Sequence, residues 1–266
     1  MISLVQLLNE VEGKPKAIIL AGAPGAGKGT ILKGLDLGGL KIINIDNTFI
    51  EKLKQANVSL DLKNATPEER SEQAKSMALA NKEFKGEVQD TIAGKESFIL
   101  DGTAASYKQT ALLKEELEEV GYSVFMLYVY TDLERSLKQN QDRFEKSGGK
   151  DRSLAPAIVL RTWKGVTDNL KPYVDLFGNN FTAVANTLEG NKIKDIEGIL
   201  QTYLEPFAPQ GTKPKTPAQQ EKSEQQKAEL NTEIQAMLND EFLEDVLSYT
   251  VSKDEAQSKL QNFLRS

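Results

Sequence analysis

In the stretch LAGAPGAGKGT, residues 20 to 30, small residues and one proline surround a single lysine. Gly22 to Lys28 fits the spacing G-x-x-x-x-G-K, after a strand-like run and before a helical one. Such a loop suits a phosphate chain, because nothing bulky keeps the backbone away from it. Successive N–H groups of Gly25, Ala26, Gly27, Lys28 and Gly29 are expected to converge on a β-phosphate, helped by the positive end of the following helix. Lys28 is expected to reach between the β- and γ-phosphates. A glycine-rich turn without a ligand is the plainer reading of the same residues.

Phosphoryl transfer also needs a base, and the choice is narrow because the chain contains no histidine. A carboxylate, a lysine or a tyrosine must serve. Asp46 closes the run KIINID (41–46) and Asp101 closes SFILDG (97–102), with Thr103 just beyond. Strand ends of this kind are where ligands bind in open α/β sheets. Asp46 is the candidate to orient and deprotonate an acceptor hydroxyl, or else a simple helix cap. Asp101 is a candidate for an acceptor hydroxyl or for a magnesium ion held through water, or else a turn residue. Arg143 precedes the glycine-containing stretch KSGGKDRSLAP, Arg152 lies within it and Arg161 follows it in the next helix, with Arg135 further upstream. A loop closing over the cleft with Arg143 and Arg152 would neutralise the γ-phosphate and exclude water; each arginine alone reads as a solvated charge. Trp163 reads as a stacking platform or, more simply, as core.

These side chains must be positioned by a frame. The chain has 266 residues, of which 39% are apolar and 27% charged, which allows a sizeable core. No cysteine is present, so disulfides and thiolate zinc sites are excluded, and a cytoplasmic setting is expected. No run reaches the roughly 20 apolar residues of a membrane span. The start, MISLVQLLNEVEGK, reads as a short amphipathic helix. Net charge is −6, and residues 218 to 266 hold ten acidic against five basic residues, so the rest is nearly neutral. A broad basic footprint for nucleic acid is lacking.

Five apolar runs, at 16–22, 41–46, 97–102, 123–131 and 181–187, read as strands covered on both faces. Helices are expected from about 66 to 93, 106 to 120, 132 to 145 and 156 to 176. This alternation predicts an α/β fold with a doubly wound, mainly parallel five-stranded sheet, helices on both faces and a C-terminal helical extension. The domain is expected over 1–205 with a lid at about 146–156, a proline-rich linker over 206–220 and an acidic helical tail over 221–266. In that tail Ile234, Met237, Leu238, Phe242, Leu243, Val246 and Leu247 share one helical face, continued by Leu260, Phe263 and Leu264. The stripe suits a partner protein or a second copy, or packing back on the body.

Gly29 stands where many phosphate loops carry the Ser or Thr that touches magnesium. The Gly-Lys-Gly-Thr version, GAPGAGKGT, resembles adenylate kinase and related small-molecule kinases, which implies a role for Thr30 near the α-phosphate. The order GAPGAGKGT, INIDNTF, FILDGT, GYSVFMLYVYT and LKQNQDRFEKSGGKDRSLAPAIVLRTWKGVTDNLKPY resembles the zeta-toxin and polynucleotide-kinase branch of P-loop kinases. That resemblance implies ATP and magnesium as cofactors, Asp46 as base, Arg143 and Arg152 on the phosphates, and Asp101 and Thr103 facing the acceptor; Arg161 is a further candidate substrate contact from its place after the loop. Phe49 and Ile50 stand where polynucleotide kinases carry an arginine that grips nucleic acid. The expected activity is ATP-dependent transfer to a hydroxyl of a small molecule, a nucleotide or nucleotide sugar. The alternatives are a 5′-hydroxyl polynucleotide kinase and a nucleotide-binding switch whose tail docks a partner.

Overall fold

The computed structural model describes residues 14–35, 37, 40–62, 64–187 and 217–266. The expected amphipathic helix at the start and residues 206–216 of the expected linker lie outside the described residues.

The fold is α/β, built on a parallel sheet. Its strands are β1 (Lys16–Ala21), β2 (Lys41–Asn44), β3 (Phe98–Asp101), β4 (Ser123–Tyr130), β5 (Phe181–Ala185) and β6 (Thr250–Val251), in the order β2-β3-β1-β4-β5-β6. Every pairing is parallel, with Ala17 opposite both Phe98 and Val124. Sequence reading counts five strands; the sixth comes from the C-terminal region, where Thr250 and Val251 pair with Ala183 and Val184. Two residues between polar helices are too short to register as an apolar run.

Alternation along β1 and β4 builds two cores, one on each side of the sheet. Ala17, Ile19, Val124, Met126 and Tyr128 join one cluster, and Ile18, Leu20, Phe125, Leu127 and Val129 the other. Helices cover both faces. They are α1 (Lys28–Lys33), α2 (Ile45–Gln55), α3 (Pro67–Ala93), α4 (Tyr107–Glu119), α5 (Leu133–Lys146), α6 (Pro156–Asp168), α7 (Leu170–Phe177), α8 (Pro217–Met237), α9 (Asp240–Ser248) and α10 (Lys253–Arg265). The 27-residue α3 opens with a capping box: Thr66 Oγ1 accepts from Glu69 N while Glu69 accepts from Thr66 N, and Pro67 holds the first position. Such a cap contributes about 1 kcal/mol. The helix expected over 156–176 is two helices that break at Asn169, whose side chain donates to Ala105 O at 3.0 Å.

The tail packs back on the body. Ile234 and Met237 join Trp163 in one cluster, Leu243 and Val246 complete the first sheet face, and Leu260 and Phe263 complete the second. Phe263 lies 5.0 Å from Phe125, and Lys16 Nζ donates to Ser266 Oγ at 3.1 Å. The expectation that this stripe faces a partner or a second copy is thereby corrected. Burying these side chains removes apolar area from water at about 25 cal/mol per Å², a gain available immediately on the sheet faces.

Candidate active site

Site residues gather at the carboxyl edge of β1, β2 and β3. The loop after β1 turns through Gly25 (φ 74°) and Gly27 (φ 79°), backbone conformations that strain any residue with a side chain. Space forbids one as well, since a Cβ at Gly25 would stand 2.5 Å from Ser136 O and one at Gly27 2.3 Å from Asn186 Nδ2. Ala26 N–H donates inward to Ala23 O at 3.0 Å, so this amide does not join the expected phosphate cradle. Gly25, Gly27, Lys28 and Gly29 keep backbone N–H groups without a protein acceptor among the described residues.

The loop is braced from three sides. Asn186 Nδ2 donates to Ala26 O at 2.7 Å, Ser136 Oγ to Pro24 O at 2.6 Å, and the Gln139 amide nitrogen faces Gly25 O at 2.5 Å. Gln139 in turn accepts from Arg135 Nε at 2.7 Å, and Arg135 Nη1 donates to Thr187 O at 2.8 Å. Lys28 Nζ donates to Gly22 O at 2.8 Å and Ala23 O at 3.3 Å. Burial pulls the Lys28 pKa below its usual value, while the Asp101 and Asp46 carboxylates act the other way. Gly22 itself contributes this carbonyl and does not line the cleft.

Asp46 sits in the first turn of α2, not at the end of β2. The cause is Asn44, whose Oδ1 accepts from Asp46 N at 2.7 Å and starts the helix at Ile45, inside the run expected as strand. Asn44 is therefore the cap, which leaves the Asp46 carboxylate for other partners. The same amide donates from Nδ2 to Asp101 Oδ2 at 2.6 Å, so one side chain ties the first turn of α2 to the end of β3. Burial raises the Asp101 pKa above its usual value, with Lys28 and the Asn44 contact opposing. Asp46 is ion-paired with Arg152 Nη2.

Arg143 and Arg152 both line the cleft, with Arg143 Nε bound to Asp151. Asp151 Oδ1 also accepts from Arg152 N at 2.8 Å, so one carboxylate meets the Arg143 guanidinium and the Arg152 backbone. Thr30 and Thr103 line the cleft too. Arg161 does not: it faces Gln226, Glu229 and Glu233 of α8 across a separate shallow pocket. Trp163 is fully buried and donates from Nε1 to Thr131 O at 2.8 Å, in agreement with a core role. Asn44, Ser136, Gln139, Asp151 and Asn186 escape sequence reading, because amides, hydroxyls and a loop carboxylate without a motif look like any polar surface residue. Only Asn44, two residues before Asp46, carried a helix-cap signal.

The cleft encloses about 800 Å³. Seven cationic side chains (Lys28, Lys33, Arg135, Lys138, Arg143, Lys146, Arg152) line it against three carboxylates (Asp46, Asp101, Asp142), in a chain of net charge −6. This inversion of local charge suits an anionic ligand. Two carboxylates and two threonine hydroxyls are hard oxygen donors suited to magnesium, yet among the described residues no group of three or more acidic side chains forms a cage. No described helix is long and apolar enough to cross a membrane.

The zeta toxin family model matches residues 5–195. No curated protein matches the chain. Among solved structures, the AvrRxo1-ORF1:AvrRxo1-ORF2 complex with sulphate ions is 16% identical, with 97% of this chain and 78% of that chain covered and a TM-score of 0.52. The same pair with ATP is 19% identical, covering 67% and 56%, with a TM-score of 0.50. The PezAT chromosomal toxin-antitoxin system of Streptococcus pneumoniae is 16% identical, covering 87% and 94%, at 0.49. At these identities the likeness concerns the fold.

Proposed function

The chain belongs to the zeta toxin family, and on that premise we propose that it is an ATP-dependent kinase that transfers the γ-phosphate to a hydroxyl of a small molecule, a nucleotide or nucleotide sugar. The observation that carries this reading is the meeting, in one cationic cleft, of the glycine loop with Asp46 and Arg152. Free amides of Gly25, Gly27, Lys28 and Gly29 hold the β-phosphate, and Lys28 moves from its own loop carbonyls to the β- and γ-oxygens. The structure solved with ATP supports the choice of nucleotide.

Asp46 accepts the proton of the acceptor hydroxyl as its oxygen attacks the γ-phosphorus. The bond from that phosphorus to the bridging oxygen breaks, and ADP leaves with the electron pair. Arg143 and Arg152 neutralise charge on the transferred group, and Asp101 and Thr103 orient the acceptor. Magnesium, when bound, supplies further neutralisation of the phosphates. Asp101 would hold it through water. A protein partner belongs to the proposal, since the AvrRxo1 structures are two-protein complexes.

The test is label transfer from γ-labelled ATP to a panel of nucleosides, nucleotide sugars and 5′-hydroxyl oligonucleotides. Label is expected on a small molecule and is expected to vanish with Asp46→Ala. Label only on oligonucleotides, or only in free phosphate, would replace this reading by the polynucleotide kinase or the switch.

A further inference from the structure

The lid loop is fastened to an element outside the cleft's machinery. Between α5 and α6 the chain passes Ser153, which is buried. Its N–H donates to Leu60 O at 3.0 Å and its Oγ donates to Asp61 Oδ1 at 2.8 Å, and the two residues form an isolated parallel β-bridge. Asp61 belongs to the connection between α2 and α3. Its other oxygen accepts from Asn64 Nδ2 at 2.7 Å, and its own N–H donates to Ser59 Oγ at 3.1 Å, so the carboxylate is aimed from its own side. Phe144, one turn before the end of α5, packs into the small cluster of Phe49, Leu53 and Leu60.

Adjacent residues of the lid thus grip α2 at both ends. Arg152 reaches Asp46 in the first turn, and Ser153 holds Asp61 beyond the last. Arg152 is further tied by its N–H to Asp151, while its Nε is buried and has no partner among the described residues.

We propose that Asp61 is a positioning residue: through Ser153 it latches the lid to the α2–α3 connection and so sets Arg152 beside Asp46. This role rests on the phosphotransferase reading above. Asp61 touches no reacting atom, and its effect passes through Arg152. The lid and the α2–α3 connection then close as one body, so that an acceptor lodged against α2 reports directly to the arginine that meets the transferred phosphate.

Two measurements on the full chain test this. Trypsin cuts after Lys150 and Arg152, and cleavage requires local opening of the lid. Asp61→Ala and Ser153→Ala are each expected to speed that cleavage about tenfold, and the double variant no more than the singles, because both remove the same bond. The second measurement is ATP hydrolysis with water as acceptor. Asp61→Ala is expected to lower kcat about tenfold while the KM for ATP moves less than threefold, Asp61→Asn is expected to restore most of the loss, and Asp61→Ala added to Arg152→Ala is expected to cost nothing further. Equal losses of kcat in the presence and absence of Arg152, or a KM and a melting temperature that fall together with kcat, would make Asp61 a merely structural residue and overturn the role. Unchanged tryptic cleavage would overturn the latch itself. A wild-type chain that neither binds nor hydrolyses ATP, with cleavage still accelerated by Asp61→Ala, would instead sink the phosphotransferase reading and the catalytic half of this role with it.

Discussion

The two sides of the cleft are built by different means. On the nucleotide side, the loop after β1 offers backbone amides, and its shape is enforced by Gly25 and Gly27 at positive φ with no room for a Cβ. On the proposed acceptor side the work falls to side chains: Asn44 accepts from the Asp46 N–H and donates to the Asp101 carboxylate, Asp151 pairs with the Arg143 guanidinium and accepts from the Arg152 N–H, and Asp61 holds the loop through Ser153. A backbone site tolerates little change at its few glycines, whereas a side-chain site spreads its requirements over many weakly constrained positions. One fold can therefore keep the same phosphate grip while the acceptor face drifts.

The sharpest break of that contrast is Asp46→Ala. With the base gone, kcat for transfer is expected to fall about a thousandfold, with nucleotide affinity within a few-fold of the parent. Loss of nucleotide binding in this variant would show that the two sides are not separable. Next comes Lys28→Ala, expected to lower turnover about a hundredfold by removing a cation from the developing phosphoryl charge. Equilibrium titration with a fluorescent nucleotide should show weakened binding as well, and an unaltered titration would deny the loop its ligand.

Asn186→Ala probes the brace rather than the grip. It strands Ala26 O, at a cost of about 1 kcal/mol, and a roughly fivefold weaker nucleotide affinity is expected. The smallest effect concerns pH. Because burial raises the Asp101 pKa, the folded protein keeps this proton over an interval in which the unfolded chain has lost it, and stability falls as pH rises through that interval. Asp101→Asn should flatten this slope above the ordinary carboxylate value of 3.8, read as urea midpoints from pH 3 to pH 7. Parallel curves for the two proteins would remove burial as the cause.

The same contrast decides what sequence shows. Gly22 to Lys28 is legible because phosphate binding by amides demands small residues at fixed spacing, and the strand runs are legible because burial on both faces demands continuous apolarity. Asp46 is proposed by elimination, since the chain has no histidine, yet its place in a helix is missed because the Asn44 side chain decides where β2 ends. Arg161 is misplaced because a helix position after a lid does not tell which way it faces, and α8 lies against it. The destination of the tail is hidden for a similar reason: an apolar stripe records that burial occurs, not against what. Only the match of Phe263 to Phe125, and of Val251 to the open edge of β5, settles that.

That tail has a consequence for synthesis. Residues Leu260 and Phe263 roof the sheet face beneath the loop-bearing strand β1, and Ser266 meets Lys16 across 250 positions of sequence. Contacts so distant along the chain form late. While the polypeptide emerges from the ribosome, Ile31, Leu32 and Leu35 cover that face of β1, and its roof is completed only when residues 250 to 266 have been made.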